Sequence, residues 1–230
     1  MNFFKKEEKT VSPDLSRQKS DAKTTPDDLQ EVLKRLSSHA GNTIQMLKTV
    51  LKTDTDILLL YSAGLAGYAC QRAVMANNEQ YVVVGAKSGR NYYLGDKVNA
   101  YLLENKSSVL SFINGIYEHK TGKKAPDPGP SITHAVSVIG DDNYKIWNSY
   151  SPDEVYKLIK VCWDGIFENM TSEYCKSPCE WPIFFGIVLQ NIMEDMMVTG
   201  KEDAVYQMVL ECTLFISKMR DDSLAKSQPI

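Results

Sequence analysis

The chain has 230 residues, of which 43% are apolar and 24% are charged. A chain of this length and composition buries a core without disulfides or metals, which excludes a disordered protein and a disulfide-dense secreted scaffold. The net charge of −3 excludes a strongly basic nucleic-acid binder, so we expect no nucleic-acid partner.

Neither an export signal nor a membrane span is indicated. Only Phe3 and Phe4 are apolar near the N-terminus, and no apolar run of signal-peptide length follows them. The most apolar later segment, residues 181–198, contains Glu194 and Asp195, which are costly in lipid. We therefore expect the five cysteines to be thiols in a reducing compartment and predict a cytoplasmic location with no membrane partner.

The first predicted elements are a tail and three helices. Residues 1–24 are polar and are predicted to be a disordered tail. Thr25 and Pro26 begin a helix that Gly41 is predicted to end, and a short second helix follows over residues 43–51. A longer helix is predicted from Asp54 or Thr55 to about Asn77. Its apolar residues occur on every side, and its small residues allow a neighbouring backbone to approach closely, so it is expected to be buried.

A β-hairpin is predicted over residues 81–94. Tyr81 is followed by three valines, residues 87–90 have turn chemistry, and residues 91–94 return to strand-forming types. Because an isolated hairpin is marginally stable in water, we expect this one to pack on the helices or to find another strand.

The middle of the chain is predicted to contain further helices and one rigid loop. Gly95 and Asp96 begin a helix, Ser107 or Ser108 restarts it, and it ends near Gly122. Residues 123–130 contain three prolines and are predicted to form an irregular surface loop.

The last third has the strongest local signal. Ser151, Pro152 and Glu154 together are typical of a helix with a proline at its first position and a capping box. Before it, Ser131 is predicted to begin a helix. After it come a loop over 171–180, helices over 181–198 and 201–220, and a frayed tail from residue 221. The predicted fold is mainly α (α+β): a single helical domain over residues 25–220, with seven to nine helices and one hairpin.

No cofactor, metal or catalytic group is predicted with a defined geometry. Cys175 and Cys179 form a C-x₃-C pair, but His39, His119 and His134 are isolated in the sequence, whereas structural zinc sites combine two such pairs or a pair with closely spaced histidines. The two thiols are interpreted as loop residues that pack over helix ends, with a reversible disulfide left open. No phosphate-binding loop occurs.

An enzyme assembled from scattered residues is the alternative hypothesis. Cys179 precedes an apolar helix whose dipole favours a thiolate, and His134 is near the start of another helix. If the two side chains met, a hydrolase or transferase would be expected. The sequence does not indicate that they meet.

Recognition-type residues are densest around the hairpin. Tyrosine offers a large contact area with little conformational entropy to lose. We therefore predict a non-catalytic protein-interaction protein, for example a toxin-neutralising immunity protein or an adaptor. Met193, Met196 and Met197 leave a homodimer possible, with core packing as the other interpretation. The predicted partner-binding residues are Tyr81, Lys87, Arg90, Tyr92, Tyr93 and Asp96.

Overall fold

The computed structural model describes residues 26–52, 55–85, 91–139, 141, 143–146, 150–197 and 200–219. Over these residues the fold is mainly helical with one antiparallel hairpin, which confirms the predicted fold class. The predicted tails, residues 1–24 and 221–230, lie outside them. In chain order the elements are α1 (Pro26–Leu51), α2 (Thr55–Ala76), β1 (Val82–Gly85), β2 (Asn91–Leu94), α3 (Asp96–Asn99), α4 (Val109–Thr121), α5 (Gly129–Val138), α6 (Pro152–Cys162), α7 (Glu168–Tyr174), α8 (Trp181–Met196) and α9 (Glu202–Lys218).

Three short segments complete the helical part. A π-helical segment, Ala100–Glu104, continues α3, and a second one, Trp163–Phe167, joins α6 to α7. A 3₁₀ turn, Pro178–Glu180, leads into α8.

Helix α2 lies at the centre of the fold. It packs mainly against α8 and α9 and also contacts α6, and its middle residues are buried on all sides. At Gly67 a Cβ atom would overlap the carbonyl oxygen of Thr213 and lie 3.1 Å from the amide nitrogen of Ser217. The predicted close approach of a neighbouring backbone to the small residues of α2 is therefore confirmed, and that neighbour is α9.

The other helices form a layer around this centre. Helix α8 also packs against α1 and α4, while α9 also contacts α4, α5 and α6. Between α2 and α8, the fully buried Trp163 ring lies 5.4 Å from that of Tyr68 and 5.5 Å from those of Trp181 and Phe185. Each of these aromatic rings adds a large apolar area to the core.

Three of the predicted helix boundaries, at Ser108, Gly122 and Ser151, are confirmed. Ser108 caps α4 by accepting a hydrogen bond from the amide of Ser111, and Gly122, in the left-handed region at φ 67°, ends that helix. At the start of α6 the Ser151 Oγ accepts from the Glu154 amide at 3.3 Å, and the Glu154 carboxylate accepts from the Ser151 amide at 2.7 Å. Both halves of the predicted capping box are present.

The predicted helix end at Gly41 is wrong, because α1 continues through it to Leu51. Leu36, Ala40 and Leu47 are all buried, so one apolar stripe passes across the glycine position. The burial of this stripe against α8 outweighs the roughly 1 kcal/mol that an interior glycine costs a helix.

Two further boundaries are corrected. Helix α5 begins at Gly129, two residues before the predicted Ser131, because Pro130 fits a first turn in which its missing N–H costs nothing. The predicted loop over 171–180 begins with the last turn of α7, where Thr171 is buried and its hydroxyl donates to the carbonyl of Phe167.

Candidate interaction surface

The hairpin forms because two short β-prone segments lie close together in the sequence and pair with each other. β1 and β2 are antiparallel, with Val82 opposite Leu94, Val83 opposite Tyr93 and Val84 opposite Tyr92. The connecting residues 86–90 are outside the described residues.

The hairpin is anchored to the helical core through β2. Tyr92 makes an antiparallel bridge to Met219, which follows α9, and the Gln71 side-chain amide of α2 donates to the Met219 carbonyl. Nearby, the Lys218 ammonium donates to the Asn99 side-chain oxygen, and burial lowers the pKa of that lysine. The core therefore fixes one edge of the hairpin, while β1 pairs with β2 alone among the described residues.

The structure divides the predicted partner-binding residues into three groups. Tyr81 is 41% exposed, and Asp96 at the start of α3 is exposed. Tyr92 and Tyr93 are 4% and 3% exposed, so their rings belong to the core and offer a partner little area. Lys87 and Arg90 lie outside the described residues.

Two exposed residues that the sequence did not single out lie at the same end of the hairpin as Tyr81. Val82 is 53% exposed and its cross-strand neighbour Leu94 is 37% exposed. Tyr81 is held against the buried Tyr93 ring, with 4.7 Å between the ring centres. Strand alternation in the sequence predicts that Val82 and Leu94 share one face of the hairpin. It does not predict which end of the hairpin the helices cover, so the exposure of these two residues could not be predicted.

Tyr81, Val82 and Leu94, hereafter the hairpin patch, are half of the six large apolar side chains that are exposed among the described residues. The other three, Val50, Val136 and Val161, lie one each on α1, α5 and α6. Single exposed apolar residues are ordinary, whereas a group of them marks an interaction surface more often.

The alternative catalytic residues are in different surroundings. The exposed Cys179 Sγ accepts hydrogen bonds from the Asn77 side-chain amide at 3.1 Å and from the Tyr101 hydroxyl at 3.2 Å. His134 instead packs edge-on against Tyr144, with 5.7 Å between the ring centres. The contacts described for Cys179 and His134 share no residue, so the structure does not bring the pair together.

The other thiols are buried. Burial raises the pKa of Cys175 to about 12 and also raises the pKa values of Cys70, Cys162 and Cys212. All five cysteines are free, including Cys175 and Cys179.

His134 also borders a cleft between α5 and α9 with a volume of about 420 Å³. On its α9 side, the Glu211 carboxylate accepts from the Tyr144 hydroxyl at 3.1 Å and from the Gln207 amide at 2.8 Å. The Gln207 amide also donates to the Ser131 hydroxyl of α5 at 3.0 Å. Burial, followed by the Glu211 charge, raises the pKa of Tyr144, so this phenol is a neutral hydrogen-bond donor.

The described residues contain neither a metal-binding cluster nor a membrane-spanning helix. No group of three or more His, Cys, Asp and Glu side chains there could hold a metal ion. None of the helices described is both long and apolar enough to cross a bilayer. In comparisons with known proteins, no family model matches the sequence, and no solved structure matches the chain.

Proposed function

We propose that this is a non-catalytic interaction protein that binds another protein through the hairpin patch. The observation that carries the proposal is that Tyr81, Val82 and Leu94 are all exposed at one end of a hairpin that β2 anchors to Met219, the residue after α9. A surface presented by a rigid base loses little conformational entropy on binding, which favours affinity.

The chemistry of the surface fits protein recognition. Val82 and Leu94 offer aliphatic area, Tyr81 combines a ring with a polar hydroxyl, and Asp96 provides a charge at the rim. An apolar centre with polar neighbours is the usual anatomy of a protein interface. An immunity protein that neutralises a toxin, or an adaptor, would use such a surface.

We propose that this interaction occurs in the cytoplasm. The support is the state of the cysteines, all five of which are free thiols. A reducing compartment keeps thiols in this form.

The test compares two lysine substitutions at exposed valines. Tagged wild-type protein, Val82→Lys and Val161→Lys are used to capture proteins from native lysate, with quantitative mass spectrometry of what is bound. Val161 on α6 is 69% exposed, so it controls for the added charge away from the hairpin. We expect a stoichiometric partner whose capture falls by about tenfold or more with Val82→Lys, because the interface would bury an unpaired ammonium.

Equal capture by all three proteins would contradict the assigned surface. Thermal unfolding of each variant checks that the fold is retained, which the exposure of both valines leads us to expect.

The alternative proposal is a hydrolase or transferase that uses Cys179. Its support is the Sγ itself, which is exposed and is held in position by hydrogen bonds from the Asn77 side-chain amide and the Tyr101 hydroxyl. Any activity found in a substrate screen should then be lost in Cys179→Ala. An activity that survives this substitution would exclude the thiol as the nucleophile.

A further inference from the structure

We propose that the cleft between α5 and α9 binds a small organic cation, an ammonium group carried on an apolar body, with Glu211 as its counter-ion. This inference is independent of the hairpin patch, because the cleft lies on α5, α9 and the segment around Tyr144.

The first argument is the charge of Glu211. Its described hydrogen-bond partners are the Tyr144 hydroxyl and the Gln207 amide, both neutral donors. Lys145 is the one lysine among the described residues of the lining, and its ammonium forms an ion pair with Glu154 at 3.7 Å. Among the described contacts Glu211 thus has no cationic partner, although it is a partly buried carboxylate. A bound cation would supply the missing charge.

The second argument is preorganisation. One hydrogen bond to each oxygen of Glu211 fixes the carboxylate, and Gln207 is itself held by Ser131 across the helix interface. Tyr144 is fixed in turn by stacking on the ring of Phe215, with 4.7 Å between the ring centres. A carboxylate oxygen has two lone pairs, so each retains acceptor capacity for an ammonium N–H. A site supported in this way loses little entropy when a ligand binds.

The third argument is the size and the apolar part of the cleft, which indicate what kind of molecule carries the ammonium group. Met208 is buried at the cleft, and Ala204 leaves space because its side chain is small. The volume of about 420 Å³ is within the range of small-molecule sites and is far larger than an ammonium group alone needs. A bare metal ion fits poorly, because Glu211 is the single carboxylate among the described residues of the lining. An amine with a hydrocarbon or aromatic body fits both the charge and the space.

The test uses phenethylammonium and its neutral analogue 2-phenylethanol as probes, each titrated into the full chain labelled with ¹⁵N. We expect phenethylammonium to cause saturable shifts of the amide signals of His134, Tyr144, Gln207 and Glu211, and the alcohol to bind about tenfold more weakly or worse. Glu211→Gln should weaken amine binding by a similar factor, whereas Glu173→Gln, an exposed carboxylate on α7, should leave it unchanged.

A second variant separates ligand binding from folding. Ala204→Leu fills the cleft without altering its charge, and since Ala204 is exposed, the fold should tolerate the larger side chain. We expect this variant also to lose the shifts. The proposal would be overturned by an absence of saturable shifts at the cleft, by equal binding of amine and alcohol, or by full amine binding in either cleft variant.

Discussion

Replacement of Gly67 by alanine should separate α2 from α9 and destabilise the protein. The added Cβ would overlap the Thr213 carbonyl oxygen and lie 3.1 Å from the Ser217 amide nitrogen, and both atoms belong to the α9 backbone. A backbone cannot move aside as a side chain can, so we expect a cost of about 3 kcal/mol, near the upper end for overpacking. The better helix propensity of alanine returns about 1 kcal/mol, which leaves a net loss of about 2 kcal/mol.

Gly41→Ala is the matched control. This glycine is also inside a helix, but no atom lies within 4 Å of the position that its Cβ would occupy. Only the propensity term applies, so we expect a gain of up to about 1 kcal/mol in the free energy of unfolding.

The free energy of unfolding of Gly64→Ala should lie between those of Gly67→Ala and Gly41→Ala. At that position the added Cβ meets the end of the Ile159 side chain, which can change its rotamer.

Thermal and urea unfolding of the variants measure these differences. For a chain of this size 1 kcal/mol corresponds to about 2–4 °C, so Gly67→Ala should lower Tm by roughly 4–8 °C and Gly41→Ala should raise it by a few degrees. Equal stability of Gly67→Ala and Gly41→Ala would refute the close approach of α9 to α2.

Three further predictions concern the capping box and the exposed thiol. Ser151→Ala should cost about 1 kcal/mol of stability in thermal unfolding, and an unchanged Tm would contradict the cap. Hydrogen bonds from Ser151 lower the pKa of Glu154 below its usual 4.5, so the stabilising effect of this carboxylate is present above that pH and is lost as the pH falls through the lowered value. Wild type should therefore exceed Glu154→Gln in Tm at pH 7, with the difference disappearing in acid; a constant difference would refute the assignment. In a titration with a thiol reagent, Cys179 should react first and the four buried cysteines only after unfolding, while fast labelling of a second cysteine in native protein would contradict the burial pattern.

The sequence predicted those features that depend on neighbouring residues. The cap at Ser151, the left-handed residue Gly122 and the hairpin depend on chemistry within a few positions, so a single sequence contains their signals. Gly41 shows the limit of such signals, because the stripe from Leu36 to Leu47 is stabilised by contact with α8, which is distant in sequence.

The candidate sites were harder to predict from the sequence than the caps and the hairpin, because tertiary contacts decide which residues are exposed together. Tyr81, Tyr92 and Tyr93 are all tyrosines of the hairpin segment, so the sequence does not distinguish them. Tyr92 and Tyr93 are nevertheless buried, because the core covers them, and no local sequence pattern indicates that burial. The cleft around Glu211 combines residues from α5, α9 and the segment between α5 and α6, and no spacing rule connects them. Cys179 was selected for its position before α8, whereas its exposure and its donors Asn77 and Tyr101 are known only from the structure.

The central position of α2 has a consequence for synthesis of the protein on the ribosome. This helix is made early, yet most of its covering comes from α8 and α9, and residues 77–180 must be translated before α8 begins. At typical rates of about 5–20 residues per second, the nascent chain displays one of its most apolar segments for on the order of ten seconds before native packing can be completed. Chaperones that recognise exposed apolar helices should therefore bind the growing chain between the completion of α2 and the emergence of α9, and a chain interrupted within that interval should aggregate.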